Sequence, residues 1–207
     1  MSQGLTFSSC QISGKLNVSV EKDLGNADDL GNPTAELAIN LNAILATGRG
    51  SAQGNLAYWD AKELAASASQ DYDLIGTLQT AFGDTVSFDR VKTIILKNTG
   101  VAGTNGDIRL IAQTFNSWCK DATDYVTVRA GGIFLLHAPD ATAYDVTATT
   151  GDTIRLTNTS STLPALYQIG FIGVETDSSS SESSSSDLSS SSLGHSSSST
   201  AESNTSA

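Results

Sequence analysis

Strict alternation of apolar and polar residues is the clearest pattern along the chain. In Lys15–Glu21 (KLNVSVE), the residues Leu16, Val18 and Val20 fall on one face of an extended strand. The same period of two recurs in residues 36–42 (ELAINLN). The polar loop DLGNADDLGNP separates the two segments. The pattern therefore predicts two strands near the start of the chain.

Strand signals separated by turn residues return after Gly83, at intervals of about 8–12 residues. They are VSFDRVKTIILKN, DIRLIAQ, YVTVRA, IFLLHAP, AYDVTA, TIRLTNT and LYQIGFIGV. The apolar phase changes near Asp89–Arg90, which predicts a β-bulge there. The continuous apolar run IFLLHAP predicts a strand covered on both faces. AYDVTA and TIRLTNT predict a hairpin that turns at Thr150–Gly151–Asp152.

Residues 55–82 follow a less regular pattern. Asp60 and Glu63 could form a capping box before a short helix, but alternation from Leu64 onwards equally favours an edge strand. Gly83 suits the end of a helix whose apolar residues have helical spacing, which predicts one short helix. Those apolar residues are Leu74, Ile75, Leu78, Ala81 and Phe82.

Many short strands without βαβ alternation predict an all-β fold, an antiparallel β-sandwich of the jelly-roll type. Residues 1–176 are expected to form this domain, with a flexible N-terminal segment. The stretch Thr47–Asn55 (TGRGSAQGN) favours turns and predicts a mobile connection. Its glycines lack the spacing of a dinucleotide fingerprint and the lysine of a P-loop, so a nucleotide site is not expected.

Serine accounts for more than half of the last segment, Asp177–Ala207, which contains no lysine, arginine or aromatic residue. Serine hydroxyls hydrogen-bond readily to water, and four spaced acidic residues add repulsion. We therefore predict that residues 177–207 form a disordered, acidic, low-complexity tail.

The chain carries a formal net charge of −11, and no cluster of lysine and arginine opposes it locally. Such a charge repels nucleic acid, so direct binding of DNA or RNA is not expected. No run of about 18 apolar residues predicts a membrane span, and the first residues do not resemble a secretory signal. Cys10 and Cys119 are far apart in sequence and are expected to be free thiols.

Residues with catalytic or metal-binding chemistry are few. Of the two histidines, His195 lies in the serine-rich tail, and His137 is expected to bond the loop that follows its strand. No HExxH, paired CxxC or three-histidine pattern is present, so no cofactor, metal ligand or catalytic residue is predicted. Two carboxylates that meet in a groove remain open as a glycosidase alternative.

Aromatic side chains provide the candidate interaction residues. Tyr58 and Trp59 flank a loop and are candidate interface residues. Trp118, in FNSWCKDATDYV, is a third candidate, although its apolar neighbours are more typical of a core residue. A sugar-binding sandwich would instead stack two or three aromatics on one exposed face.

The order of these segments resembles a family of bacteriophage virion structural proteins. The matching stretches are GRGSAQGNLAYWDAKELAASASQDYDLIGTL, AFGDTVSFDRVKTIILKNTG, FNSWCKDATDYVTVRAGGIFLLHAPDATAYDVTATTGDTIRLTNTS and YQIGFIGV. Together the matching order covers about Lys15–Val174 and consists of strand and turn features. The resemblance carries no catalytic residues, so we expect that the chain is not an enzyme.

The resemblance implies a capsid decoration (cement) protein in the virion, assembled in the host cytoplasm. We expect a homo-oligomer, with a trimer favoured, that binds the major capsid protein or other virion proteins. A neck, tail or fibre appendage with the same fold is the alternative within the virion. A carbohydrate-binding adhesive sandwich is the alternative from another class.

Overall fold

All regular structure consists of β-strands in the computed structural model of the chain, which describes residues 9–21, 34–80, 83–115, 119 and 123–175. The strands are β1 (Ser9–Glu21), β2 (Thr34–Thr47), β3 (Gln53–Gly54), β4 (Leu56–Leu64), β5 (Ser69–Asp73), β6 (Ile75–Gln79), β7 (Thr85–Asn98), β8 (Ile108–Ile111), β9 (Tyr125–Val128), β10 (Ile133–His137), β11 (Tyr144–Asp145), β12 (Thr153–Asn158) and β13 (Ala165–Glu175). The prediction of an all-β fold is confirmed. Within the ranges given above, no helix is long and apolar enough to cross a membrane.

The strands form three sheets. The front sheet has six strands, with the order β10-β7-β13-β4 and with β6 and β11 also paired to β7. The back sheet has four strands, in the order β5-β12-β8-β9. β1 and β2 form a two-stranded ribbon, and β3 pairs in parallel with the end of β2. All other pairings are antiparallel, so the two larger sheets can form a sandwich.

The two larger sheets have the strand order of a jelly roll. Without the ribbon and the short strands β3, β6 and β11, eight strands remain in chain order. The front sheet contains the sixth, third, eighth and first of these eight strands side by side, which are β10, β7, β13 and β4. The back sheet contains the second, seventh, fourth and fifth, which are β5, β12, β8 and β9. Successive strands thus cross between sheets as in two interleaved Greek keys. The predicted jelly-roll sandwich is confirmed.

One hydrophobic core lies between the front and back sheets. In β13, Tyr167, Ile169 and Phe171 are buried, whereas the alternate residues face outward. Ile154 and Leu156 of β12 are fully buried in the same cluster. Burial of each such side chain contributes about 1.5–3 kcal/mol, so the alternation in sequence determines which face of each strand turns inward.

Two β-bulges interrupt the long strand β7 where it pairs with β13. The register passes from Thr93 to Val91 and then from Arg90 to Phe88, so Lys92 and Asp89 are the extra residues. The bulge predicted near Asp89–Arg90 is confirmed, and the one at Lys92 is additional. A bulge reverses the alternation of inward and outward residues, which explains the phase change in the sequence.

The prediction of a short helix is wrong where the structure describes it. Ile75–Gln79 forms β6, which pairs with β7 through Ile75 with Ser87 and Leu78 with Val86. A register shift between these pairs lets two apolar residues three positions apart both pair with β7. Apolar residues three positions apart are also typical of a helix, which explains the wrong prediction. Ala81 and Phe82 of the predicted helix lie outside the described residues.

Asp60 and Glu63 do not begin a helix, because both lie within β4, at the edge of the front sheet. The strand ends at Leu64 and residues 65–68 form a turn, so neither the helix nor an edge strand from Leu64 onwards is found.

The hairpin predicted from AYDVTA and TIRLTNT is wrong. β11 pairs with β7 in the front sheet, whereas β12 pairs with β5 and β8 in the back sheet. Only one isolated bridge, between Thr147 and Gly151, joins the flanking chain. The chain does turn at residues 147–151, but it crosses there from the front sheet to the back sheet.

The prediction that IFLLHAP is covered on both faces is also wrong. β10 lies at the edge of the front sheet, and Ile133 is 63% exposed. The other residues of β10 are only half-buried. Phe134 and Leu136 pack against the core, whereas Ile133 lies on a sheet face that no described strand covers.

Cys10 and Cys119 form no disulfide, as predicted, and both are half-buried. The serine-rich segment 177–207, residues 1–8 of the N-terminal segment and Trp118 lie outside the described residues.

Candidate interaction surface

The outer face of the front sheet carries a row of residues that crosses four strands. Strand register places Trp59 of β4 beside Gly170 of β13, Gly170 beside Ile95 of β7, and Ile95 beside Leu135 of β10. Trp59 is 62% exposed and Ile95 is 41% exposed. We call the outward-facing residues of β4, β13, β7 and β10 the outer face. Large apolar side chains at its centre lie in solvent.

A second row of the outer face lies one pair further along the strands. It contains Ala61, Gln168, Lys97 and Ile133 in lateral order. Lys97 is the only ionisable residue in the two rows, although the whole chain carries a net charge of −11. Depletion of charge around exposed aromatic and aliphatic residues is typical of the centre of a protein interface.

Gly170 keeps the centre of the first row flat. A Cβ atom at this position would lie 3.1 Å from Cγ2 of Ile95 and 3.7 Å from the carbonyl oxygen of Tyr58. The side chain of Ile95 therefore fills the space beside Gly170, which adds no side chain of its own between Trp59 and Ile95.

The structure describes two of the three predicted interface residues and places them on opposite faces of β4. Trp59 is exposed on the outer face, as an interface residue must be. Tyr58 is only 8% exposed and packs in the core, so its prediction as an interface residue is corrected. Neighbouring residues of a strand point to opposite faces, and one of the pair Tyr58-Trp59 had to turn inward. Trp118 lies outside the described residues.

Sequence reasoning missed Ile95, Ile133, Leu135 and Leu166 as surface residues. The available signal was the presence of apolar residues at both phases of a strand, as in TIILKN and IFLLHAP. For IFLLHAP the prediction is burial on both faces. It fits equally well a strand with one face in the core and the other reserved for a partner.

Tyr58 belongs to a polar cluster inside the β4 edge of the sandwich. The Tyr58 and Tyr72 hydroxyls donate to Oδ2 of Asp60 at 3.3 and 3.2 Å, and Lys62 Nζ lies 2.7 Å from the same oxygen. The Tyr72 hydroxyl also shares a 2.7 Å hydrogen bond with that of Tyr167. The Tyr58 ring stacks on Phe171 with centroids 6.0 Å apart, which accounts for its burial in the core.

Ionisation in this cluster is fixed by burial and hydrogen bonding. Burial raises the pKa of Tyr72, and the bond with Tyr167 raises it further, so both hydroxyls stay protonated. Burial alone would raise the pKa of Asp60, but hydrogen bonds from Lys62 and Tyr72 outweigh it and hold that pKa below its usual range. The cluster therefore contains one carboxylate, one ammonium group and neutral phenols.

A cleft of about 380 Å³ opens beside this cluster. It is lined by Tyr58, Lys62, Gln70, Asp71, Tyr72, Thr77, Leu78 and Gln79. Arg155 donates two hydrogen bonds to Asp71, at 2.6 and 2.7 Å, and these lower the pKa of Asp71. A glycosidase acid needs a carboxyl with a raised pKa. The carboxyls of Asp60 and Asp71 have the opposite shift, so this cleft does not favour the hydrolase alternative.

Two exposed aromatics on one face, which a sugar-binding surface requires, are not found in the described part of the chain. Trp59 lies on the outer face of the front sheet, and Tyr125, 49% exposed, lies on β9 of the back sheet. The Arg109 guanidinium stacks over the Tyr125 ring at 4.4 Å. Tyr72 and Tyr167 are buried.

The glycine-rich segment Thr47–Asn55 makes specific contacts with the front sheet and the loop that follows β10. The bulged residue Lys92 is fully buried, and its Nζ donates to the carbonyl oxygens of Gly50 at 2.6 Å and Asp140 at 2.7 Å. The Ala52 amide donates to the Pro139 carbonyl. Burial and nearby Arg90 lower the pKa of Lys92, which Asp140 partly offsets.

His137 occupies the end of β10, as predicted, but it bonds a neighbouring strand and not the loop. Its Nδ1 lies 2.9 Å from Oγ1 of Thr93 in β7, and its buried Nε2 has no hydrogen-bond partner among the described residues. Burial and the charge of Lys92 lower the pKa of His137. The imidazole is therefore neutral near pH 7. No group of three potential metal ligands surrounds it or any other described residue.

Comparison of the chain with protein-family models, with curated proteins and with solved structures finds no significant match.

Proposed function

We propose that the chain is a non-enzymatic structural protein of a bacteriophage virion, a capsid decoration protein that assembles with copies of itself and stabilises the shell. The observation that carries the proposal is the exposed apolar row centred on Gly170, between Trp59 and Ile95. A row of this kind favours contact with another protein over contact with water. The jelly roll is also a recurrent fold of capsid domains.

A second copy of the chain is the proposed occupant of the outer face. Copies that each carry a net charge of −11 repel one another, so they can approach only where acidic residues are absent. The two central rows of the outer face meet that condition, since Lys97 is their only ionisable residue. A closed ring, with a trimer favoured, would cover the row in every copy. The major capsid protein would then contact the assembled ring.

Trp59→Ala tests the self-association. An aromatic residue at the centre of an interface contributes about 2 kcal/mol or more, so the dissociation constant should rise about 30-fold. Sedimentation equilibrium measures this change. Tyr125→Ala is the matched control, because it removes an exposed aromatic from the back sheet and should leave the association unchanged.

Mass spectrometry of purified particles tests the virion assignment. The chain should be present in particles and should stay with the capsid fraction after tails are removed. Recovery with the tail fraction instead would assign it to the neck, tail or fibre. A chain that is strictly monomeric and absent from particles would contradict the proposal.

A further inference from the structure

β10 lies at the edge of the front sheet, and its far side pairs with no strand among the described residues. The Ala138 amide donates to the Lys92 carbonyl at 2.8 Å, and the Asn98 amide donates to the Gly132 carbonyl at 2.9 Å. Even-numbered residues of this stretch therefore bond β7, and in an antiparallel pair the residues between them turn their N–H and C=O groups the other way. The residues that present backbone donors and acceptors at the open edge are Ile133, Leu135 and His137.

The sequence of β10 contains nothing that opposes pairing with another strand. Natural proteins protect open strand edges with charged residues, proline or a bulge. Residues 130–139 (AGGIFLLHAP) contain no lysine, arginine, aspartate or glutamate, and Pro139 lies beyond the end of the strand. The imidazole of His137 is neutral near pH 7, because burial and the charge of Lys92 lower its pKa. β10 also pairs with β7 over all five of its residues without a register shift.

The other edges of the two larger sheets carry such protection. β4 contains three charged residues, and the carboxylate of one of them, Asp60, accepts the Ala61 amide at 2.9 Å within the same strand. β5 contains Asp71 and Asp73. β9 has only four residues and follows directly on Asp124. β6 is interrupted by a register shift. β10 is therefore the edge at which another strand meets the least resistance.

We propose that β10 pairs with β10 of a second copy of the chain, antiparallel and about a two-fold axis beside Leu135. In this register Leu135 lies opposite the same residue of the other copy, and Ile133 lies opposite His137. All three residues that present backbone groups at the edge then find partners, whereas any other two-fold register leaves some of them outside the pairing. The two front sheets join into one continuous sheet.

The chemistry of this edge favours a second copy as the partner. Copies with a net charge of −11 repel one another, and the edge is free of acidic residues. A two-fold contact needs only one self-complementary surface. Ile133, 63% exposed in one copy, becomes covered by the side chains opposite it, since directly paired residues have Cβ atoms about 4.5–5.5 Å apart.

The edge contact goes beyond the proposed function, because it uses backbone groups at the side of the sheet and not the outer face. The first row of the outer face ends at Leu135, so edge pairing joins the rows of two copies into one apolar surface. Either contact can form without the other.

Cysteine cross-linking of the full chain tests the pairing and its register. Leu135→Cys and Ile133→Cys are each made in a chain that carries Cys10→Ser and Cys119→Ser, so that each protein has one thiol. Opposite residues that exchange two hydrogen bonds have Cα atoms about 5.5 Å apart, a separation that a disulfide spans. The Leu135→Cys protein should therefore form a covalent dimer on mild oxidation, visible on non-reducing gels.

Ile133→Cys is the matched control. The two copies of this position lie four residues apart along the paired strands, about 14 Å, which is beyond the reach of a disulfide. Cross-linking should be absent there, although Ile133 is exposed. Equal cross-linking at both positions, or none at Leu135, would overturn the edge pairing.

Addition of Trp59→Ala to the Leu135→Cys protein separates the two proposals. The cross-link should persist while association through the outer face weakens. If the unmodified chain associates in sedimentation equilibrium but Leu135→Cys does not cross-link, the outer-face contact stands and the edge pairing is wrong. A monomeric unmodified chain that also fails to cross-link would remove both proposals.

Opposite charges at Leu135 give a second readout, in a chain that carries Trp59→Ala. Leu135→Lys and Leu135→Glu each place like charges directly opposite each other, so each alone should associate about 5-fold more weakly than its parent. An equimolar mixture should recover the association, measured by sedimentation equilibrium, because lysine then faces glutamate. Circular dichroism should show the same fold in all these proteins. A mixture no stronger than the separate variants would contradict a two-fold axis beside Leu135.

Discussion

At the scale of single residues, Asp60 holds the polar cluster at the β4 edge together. Its Oδ2 atom accepts hydrogen bonds from Tyr58, Tyr72 and Lys62. The Asp60 side chain is 17% exposed, so these bonds form mostly out of water. Loss of the carboxylate charge would weaken the hydrogen bonds from both phenols and remove the ion pair with Lys62, and hydrogen bonds to charged groups contribute the most.

Asp60→Asn should therefore lower the free energy of unfolding by about 2 kcal/mol at pH 7. The folded-state pKa of Asp60 lies below the ordinary value of 3.8, so its contribution is complete above that value. The contribution falls as the pH drops through 3.8 towards the folded-state pKa, because the unfolded chain then binds more protons. Urea unfolding should show that the difference in free energy of unfolding between the unmodified chain and Asp60→Asn is smaller at pH 3 than at pH 7.

Asp71→Asn is the control for this prediction. Asp71 also has a lowered pKa, but its ion pair with Arg155 lies at the surface, with side chains 45% and 37% exposed. Exposed pairs contribute only about 0–1 kcal/mol. A loss at Asp71 as large as that at Asp60 would argue against burial as the source of the effect.

At the scale of elements, the two bulges of β7 determine which residues of β13 can lie beside them. Lys92 and Asp89 are the extra residues, and β13 passes the bulges at Gly173 and Val174. A Cβ atom on Gly173 would collide with the carbonyl oxygen of Arg90. The bulge also directs Lys92 towards the glycine-rich connection, so one irregularity joins the ribbon to the sandwich.

Gly173→Ala should destabilise the protein by about 3 kcal/mol, because a backbone oxygen cannot move aside as a side chain can. Gly170→Ala in the same strand is the matched control. Its nearest neighbour is the side-chain carbon Cγ2 of Ile95 at 3.1 Å, and a change of less than about 1 kcal/mol is expected. Thermal unfolding of both variants compares them directly. Equal destabilisation would contradict the role given to the bulge.

At the scale of the whole molecule, charge and apolar surface oppose each other. A net charge of −11 makes copies repel, whereas the outer face draws them together. Repulsion between like-charged copies acts over the Debye length, which shrinks from about 30 Å at 0.01 M salt to about 8 Å at 0.15 M. Burial of apolar surface has no such dependence.

Self-association should therefore strengthen as salt rises from 0.01 to 0.15 M. The dissociation constant, measured by sedimentation equilibrium across that range, should fall. An interface built on ion pairs would respond in the opposite direction. A dissociation constant that rises with salt would thus contradict an apolar contact at the outer face.

Local sequence pattern was sufficient for much of this architecture. Alternation identified both ribbon strands, β7 and β13, and the phase change near Asp89 indicated a bulge. Turn residues separated the strands and pointed to a jelly roll. These features depend on the nearest neighbours in the chain, whose preferences act before any tertiary contact forms.

The errors have a common cause, which is that strand partners are distant in sequence. Ile75–Gln79 is a strand because β7 pairs with it, and β11 and β12 separate because each joins a different sheet. The contact of Gly50 with the sandwich is made by Lys92, about forty residues away. The residues that neighbour a strand in sequence do not indicate which strand pairs with it or which loop packs against it.

The sequence by itself determined that this chain forms strands and where most of them run. Only the tertiary structure decided which apolar residues form the core and which remain for a partner. Tyr58 and Trp59 illustrate the difference, since both are large aromatics in one strand. Alternation requires that they face opposite sides, but only the sheet packed against one side buries Tyr58 and leaves Trp59 in solvent.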